Sequence, residues 1–220
     1  MTLGEIFTRI ETGIQDPSFT REKDILPLVN GFVSEMSQLF RLPWLQEESS
    51  VGIAADPAVN YISLPSDYDR ELYLVHNNTT SRDCSIRSNV KTLERMYRGW
   101  KPNGGITDVA VGKGNRELWF RPLPTQAQDL TLLYYRKPIV IEDVFDGDVE
   151  LDGIPEHLSK FAVDYVLWQL FTLVEDGIEG RPMNTEKYFS RYQLALAEFQ
   201  EYCKKSPKQI PAIVRTARFF

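Results

Sequence analysis

The segment from Leu158 to Val174 constrains the fold most, because it is apolar on nearly all of its circumference. A helix of that kind has to be buried on most of its sides. Asp164 and Gln169 interrupt the apolar run, which is shorter than the roughly 20 residues that a membrane span needs. We therefore expect the centre of a helical bundle. These side chains should contact other helices: Phe161, Ala162, Tyr165, Val166, Leu167, Trp168, Leu170, Phe171 and Leu173.

Helices at both ends of the chain are expected to surround that segment. Thr2 and Glu5 have the spacing of a capping box, and apolar residues then recur at helical spacing from Leu3 to Ile14. A second helix is predicted to begin between Thr20 and Asp24, where polar residues give way to a new apolar stripe. The last helix should begin near residues 182–184. Its stripe consists of Tyr188, Tyr192, Ala195, Leu196, Phe199 and Cys203.

Between these helices, short alternating runs such as "VNYISLP", "ELYLVH" and "LTLLYY" are typical of strands. The predicted fold class is α+β: a helical bundle formed by the N- and C-terminal helices, an inserted β-rich domain and an extended C-terminal arm. We assign residues 1–45 and 153–205 to the bundle, 46–152 to the inserted domain and 206–220 to the arm.

The stretch "AVGKGNRELWFRPLP", residues 110–124, places a glycine on each side of Lys113 and could suggest a phosphate-binding loop. A Walker loop needs two separated glycines, then Lys and a hydroxyl residue, and this order is absent. Both flanks alternate like strands, and glycine supplies the positive φ that a tight hairpin turn requires. The stretch therefore predicts a β-hairpin.

Candidate catalytic residues are scattered along the chain. His76 and His157 are the only histidines, and neither has a second His, a Cys or an aligned carboxylate close in sequence. Cys84 lies in a charged strand without a neighbouring histidine, and neither it nor Cys203 has metal-ligand spacing, which favours a reducing compartment. No Gly-x-Ser-x-Gly elbow is present. The sequence predicts neither an enzyme nor a bound cofactor.

A cluster of carboxylates follows the last predicted strand and invites comparison with a calcium loop. Gly147 comes too early in it for an EF-hand, whose ligands alternate before a central glycine and a terminal Glu. The pattern favours a solvated acidic turn over a metal site. The carboxylates are Asp143, Asp146, Asp148, Glu150 and Asp152.

The formal net charge of −6 argues against a dedicated reader of duplex DNA, which usually needs a basic face. It is compatible with a passive channel, because an acidic wall does not retain nucleic acid. Residues 1–14 lack the basic and apolar regions of a signal peptide. We expect a soluble protein that does not enter a membrane.

Residues 206–220 combine basic and apolar side chains, which a solvated tail should not carry. One interpretation is a strand packed on the protein's own bundle. The other is an arm that docks on another subunit or a second, acidic protein through an added strand and apolar anchors. The partner-binding residues of such an arm are Lys208, Ile210, Ile213, Val214, Arg215, Arg218, Phe219 and Phe220.

Five stretches together resemble the head-to-tail adaptor (connector or neck) proteins of tailed bacteriophages, including the tail tubular A-like proteins of short-tailed phages. In that family, one strand ends in the motif Leu-Pro-x-Asp-aromatic, and a Tyr- and Leu-rich strand follows it. A later Tyr-Tyr strand leads through an acidic loop to a helix that opens Ile/Leu-Pro. The stretches are "YISLPSDYDRELYLV", "TLERMYRGW", "GKGNRELWFRPLP", "LTLLYYRKPIVI" and "GIPEHLSKFAVDYVLWQLF".

This resemblance implies a structural virion protein of the phage neck or tail, assembled in the host cytoplasm. It implies a homo-oligomeric ring of about twelve copies, which joins the portal protein to a tail or nozzle protein. DNA would pass through the ring with only non-specific contacts. The basic, apolar arm would contact the portal protein or a neighbouring subunit.

An alternative is a ligand- or glycan-binding module that uses the aromatic residues of the β-rich region. Aromatic platforms can stack sugars, although aromatic residues at alternating strand positions also form the core of a sheet. The residues of the hypothetical platform are Tyr61, Tyr73, Trp100, Trp119, Tyr134 and Tyr135.

Overall fold

The computed structural model describes residues 1–98, 105–112, 114, 116–143, 149–152, 154–175 and 183–205. The chain divides into two compact units, one of Met1–Trp44 with Pro138–Phe220 and one of Leu45–Lys137. We call the first the helical unit and the second the β unit. The described residues form five α-helices and two four-stranded sheets, so the predicted α+β class is confirmed.

The helical unit contains α1 (Leu3–Ile14), α2 (Leu26–Leu39), α4 (Glu156–Glu175) and α5 (Met183–Lys205). Helix α4 contacts the other three, and most of its apolar side chains are buried. Its last turn is an exception, because Leu173 is 68% exposed. The expectation that α4 is buried along its whole length is therefore wrong for this turn, in which the side chains of Leu173 and Val174 are exposed.

Helix α1 forms where the sequence predicts it. The Thr2 side chain accepts a hydrogen bond from the Glu5 amide at 3.3 Å, and Glu5 accepts one from the Thr2 amide at 3.1 Å. This capping box satisfies two amides that a helix start otherwise leaves unpaired. The apolar stripe of α1 is buried: Leu3, Ile6, Phe7, Ile10 and Ile14.

The segment before α2 begins with a π-helical turn, Arg21–Ile25, whose N-cap is Thr20. The Thr20 hydroxyl accepts a hydrogen bond from the Lys23 amide at 3.3 Å. Pro27 lies in the first turn of α2, a position where proline is common. The predicted helix start between Thr20 and Asp24 is confirmed.

The β unit consists of two sheets with strand orders β1-β8-β3-β4 and β2-β7-β6-β5. Gln46 of β1 and Tyr135 of β8 are antiparallel partners at the end where the chain enters and leaves the unit. Alternate side chains of both sheets meet in one apolar core. The strands are β1 (Gln46–Ile53), β2 (Tyr61–Ser63), β3 (Tyr68–Asn77), β4 (Arg82–Asp83), β5 (Ser85–Arg87), β6 (Asp108–Val111), β7 (Glu117–Arg121) and β8 (Gln128–Arg136).

A short helix, α3 (Val90–Met96), contacts β5, β6 and β7. Only Leu93 of its apolar residues is fully buried, and Met96 is 44% exposed. Val90 is half-buried, so this seven-residue helix packs on the sheet mainly through Leu93. Tyr97 follows it and donates its hydroxyl hydrogen bond to Asp108.

The segment after β8 belongs to the helical unit rather than to the β unit. The Asn30 side chain of α2 binds both the N–H and the carbonyl of Ile141, at 3.0 and 2.9 Å. The Leu3 amide donates to the Val149 carbonyl at 2.8 Å. The sequence placed the boundary at residue 152, whereas the units divide after Lys137, because these long-range hydrogen bonds tie the segment to α1 and α2.

Candidate functional site

The glycine-flanked stretch is a hairpin turn. Strands β6 and β7 pair antiparallel, with Val111 opposite Leu118. The Gly112 amide donates to the Glu117 carbonyl at 2.7 Å, and Gly114 has φ of 80°. A Cβ on Gly112 would lie 2.9 Å from Trp119 Nε1, which is too close for a normal contact. The absence of a side chain at residue 112 therefore leaves room for the Trp119 indole. The predicted hairpin is confirmed, although Lys113 and Asn115 lie outside the described residues.

The two histidines lie in different units and have structural neighbours. Nδ1 of His76 lies 2.7 Å from Oδ1 of Asp83, its partner across β3 and β4. The ring of His157 packs on Tyr202 at a centroid distance of 5.3 Å. Asp83 is a partner that sequence reasoning missed, because its two-residue strand gives no periodic signal. His76 and Asp83 together could act as a general base, but this pair contains no nucleophile.

Cys84, next to Asp83, does not supply that nucleophile. Its side chain is buried, and its Sγ lies 3.5 Å from the Ile106 carbonyl as a donor. Burial raises the pKa of the Cys84 thiol to about 12, with smaller contributions from the charges of Asp108 and Asp83. The thiolate is the reactive form of cysteine, so this thiol is unreactive near neutral pH.

The acidic segment gives no metal site among the residues that the structure describes, since these contain no cluster of three His, Cys, Asp or Glu side chains able to hold an ion. Asp146 and Asp148 lie outside those residues. Oδ2 of Asp152 accepts a hydrogen bond from the Ile139 amide at 2.7 Å. This carboxylate therefore holds the backbone of the segment after β8.

The aromatic residues of the hypothetical sugar platform do not lie together. Tyr61 and Trp119 stack at 5.1 Å on the second sheet, whereas Tyr73 and Tyr135 make a pair at 5.7 Å on the first. Tyr134 is buried in the core. Trp100 lies outside the described residues. The five described aromatics divide between two sheets and a core.

A polar cluster that the sequence did not reveal joins three helices of the helical unit. The Tyr192 hydroxyl of α5 donates a hydrogen bond to Glu35 of α2. Tyr165 of α4 packs on Tyr192 at 5.2 Å between ring centroids. Burial, followed by the hydrogen bond and charge of Glu35, raises the pKa of Tyr192. Glu35 lies 157 residues from Tyr192, so no local pattern could have paired them.

The last described turn of α5 is packed on both sides. Tyr202 contacts the rings of Trp44 and His157, with centroid distances of 5.6 and 5.3 Å. The chain continues beyond Lys205 from this packed end. The predicted partner-binding residues of the arm all lie outside the described residues: Lys208, Ile210, Ile213, Val214, Arg215, Arg218, Phe219 and Phe220.

Comparison with known proteins identifies the family. Among the described residues, no helix combines the length and the apolarity that crossing a membrane requires. No curated protein matches the chain. The model of the family described as SU10 adaptor protein matches residues 1–211, which confirms the resemblance to phage head-to-tail adaptors. The chain belongs to the SU10 adaptor protein family and is a phage adaptor, a structural component of the virion.

Proposed function

We propose that this adaptor forms a ring that joins the portal to the tail and surrounds the path of the DNA. The observation that carries the proposal is the family match, which extends over residues 1–211 and so includes the whole β unit and all but the last nine residues of the helical unit. The chemistry of the described residues agrees with a structural role. The thiol of Cys84, next to the His76–Asp83 pair, is buried, and burial raises its pKa to about 12.

A ring of identical subunits needs one surface that fits a different surface on the next copy, and it closes when the rotation between copies closes. In the proposed particle the helical unit forms the body of the ring, in about twelve copies. The excess of acidic over basic residues, 31 against 25, disfavours strong retention of the DNA backbone. DNA would therefore pass with non-specific contacts only.

Residues 206–220 form the docking segment in this proposal. The segment is basic, and its apolar residues include Ile213, Val214 and Phe219. Such a segment can add to a partner by backbone hydrogen bonds and apolar anchors, with its charges steering encounter with an acidic surface. The portal protein or a neighbouring subunit would receive it in the neck of a virion assembled in the host cytoplasm.

The test is to mix the purified protein with the portal and the tail protein of the same phage. Particle mass and electron microscopy should show rings on the portal. A chain ending at Lys205 should lose portal docking while its helical circular dichroism stays unchanged. Two matched variants separate the contributions of the arm: Ile213→Ser with Val214→Ser, and Arg215→Gln with Arg218→Gln. A full-length protein that stays monomeric with both partners present would overturn the proposal.

A further inference from the structure

The segment after β8 exposes apolar side chains that nothing in the described structure covers. Ile139 and Val140 are each 65% exposed, and Val149 is 41% exposed. Glu142 and Glu150 are exposed beside them. The hydrogen bond from Ile139 to Asp152 joins the two stretches, 138–143 and 149–152. We call this surface, formed by Ile139, Val140, Glu142, Val149 and Glu150, the acidic ledge.

The backbone of the ledge is held on one side and open on the other. The amides of Ile139 and Ile141 are bound by side chains of Asp152 and Asn30. Alternate residues of an extended chain point their backbone groups to opposite sides. Within the described structure, the N–H and the carbonyl of Val140 make no hydrogen bond. An added strand could bind along this open side.

The C-terminal segment of the chain has the complementary chemistry. Residues 206–220 contain basic but no acidic residues, and "AIVRTARFF" combines β-branched and aromatic side chains with two arginines. Apolar side chains would cover Ile139 and Val140, and the arginines would face Glu142 and Glu150. Opposite charges on paired strands attract, and apolar cross-strand pairs stabilise a ladder. The ledge and the segment therefore match in both polarity and charge.

The length of the segment allows it to reach a neighbouring copy. The end of α5 lies at the start of α4, because Tyr202 packs on His157. The ledge residues 149–152 come shortly before that start in the sequence, and a closed ring requires each copy to present one surface to the next. Pro207 and Pro211 disfavour helix in the residues before them, so the segment does not continue α5 as a regular helix. Fifteen extended residues span about 50 Å at most, a length that allows contact with a second copy.

We propose that the acidic ledge of one subunit binds residues 206–220 of the adjacent subunit and so links the copies of the ring. This inference rests on the proposed ring and names one of its contacts. The occupant is a second copy of this chain, and the contact is heterologous, as a closed ring requires.

Charge exchange tests the contact in the full-length protein without portal. Glu142→Lys with Glu150→Lys should raise the protein concentration needed for assembly on the order of tenfold, and Arg215→Glu with Arg218→Glu should do the same. All four changes together should restore much of the loss. Glu22→Lys with Glu48→Lys, at exposed acidic residues that are not part of the ledge, is the matched control and should leave assembly unchanged.

Cross-linking between two populations identifies which copy supplies the segment. One population carries Val140→Cys and the other Val214→Cys, both with Cys203→Ser, and a short bismaleimide is added to the mixture. We expect a covalent dimer that neither population gives alone. Leu194→Cys, at a side chain that is also 65% exposed, replaces Val140→Cys in the control and should give none.

Three results would overturn the ledge contact. The first is that the mixture of the two populations gives no dimer. The second is that a protein with both Val140→Cys and Val214→Cys cross-links only within one chain, and the third is unchanged assembly of the Glu142/Glu150 variant. Rings that form normally in these cases would leave the proposed function standing. A wild-type protein that forms no ring under any condition would instead contradict the proposed function itself.

Discussion

The hydroxyl of Tyr192 in α5 donates a hydrogen bond to the half-buried carboxylate of Glu35 in α2. The two residues belong to helices at opposite ends of the sequence, and Tyr165 of α4 packs on the Tyr192 ring. One side-chain contact therefore ties the N-terminal part of the helical unit to its C-terminal part. Its value to the fold can be measured directly.

We expect Tyr192→Phe to lower the free energy of unfolding by about 2 kcal/mol, because a hydrogen bond to a charged group is lost and its acceptor stays partly buried. Urea titration followed by helical circular dichroism measures the change. Tyr202→Phe is the control, since that ring contacts Trp44 and His157 by packing. Equal effects of the two substitutions would show that the Glu35 hydrogen bond contributes nothing.

The buried tyrosines predict a loss of stability in alkali. Burial raises the pKa of Tyr165 to about 12 from an ordinary value of 10.0, with smaller contributions from Glu35. Between these values the folded protein holds more protons than the unfolded chain, so the free energy of unfolding falls as the pH rises. The stabilisation is fully present below pH 10.

Denaturant titrations at several pH values check this slope, and tyrosinate absorbance reports the ionisation itself. The variant Tyr165→Phe should show a shallower fall between pH 10 and 12 than the wild-type protein. A free energy of unfolding that stays constant across this window would contradict the assignment of a raised pKa.

The capping box of α1 gives a local prediction. Thr2→Ala removes the side-chain acceptor for the Glu5 amide, which should lower the free energy of unfolding by about 1 kcal/mol. Thr12→Ala is the matched control, because the Thr12 hydroxyl bonds only to the carbonyl of Thr8 in the same helix. That change should be neutral or slightly stabilising, since alanine favours helix. A Thr2→Ala protein as stable as wild type would show that the cap is not formed in solution.

The hairpin between β6 and β7 depends on Gly114, whose φ of 80° lies in the left-handed region. Apart from Gly114 and its two chain neighbours, no described residue has an atom within 4 Å of a Cβ built there, so we attribute any loss in Gly114→Ala to the backbone conformation. We expect about 1 kcal/mol of destabilisation for Gly114→Ala and less for Gly114→Asn, which tolerates this conformation better. Thermal unfolding with both variants measures the order. Alanine and asparagine variants of equal stability would argue against a left-handed residue at this position.

Local sequence patterns were sufficient to predict the helices and turns that depend on residues close together in the sequence. The capping box and the apolar stripe predicted α1, and the alternating flanks of the Gly-Lys-Gly turn predicted the hairpin of β6 and β7. The same patterns could not predict contacts across the chain. Asn30 binds Ile141, 111 residues away, and this contact places the segment after β8 with the helices.

The candidate docking residues illustrate the other limit of sequence reasoning. The composition of residues 206–220 predicts that they pack on a surface, because basic and strongly apolar side chains are interleaved there. Composition does not give the receiving surface, which requires knowing what the fold leaves exposed. Ile139 and Val140 look like the continuation of strand β8 in the sequence, and only the fold shows that they are uncovered.

The pairing of Gln46 with Tyr135 brings the first and last strands of the β unit side by side where that unit begins and ends. An inserted module whose two ends are adjacent can be exchanged for another without stretching the parts that flank it. The β unit can therefore be replaced without changing the distance between the two chain ends of the helical unit. A chimaera that joins a different insert at residues 45 and 137 should keep its helices intact.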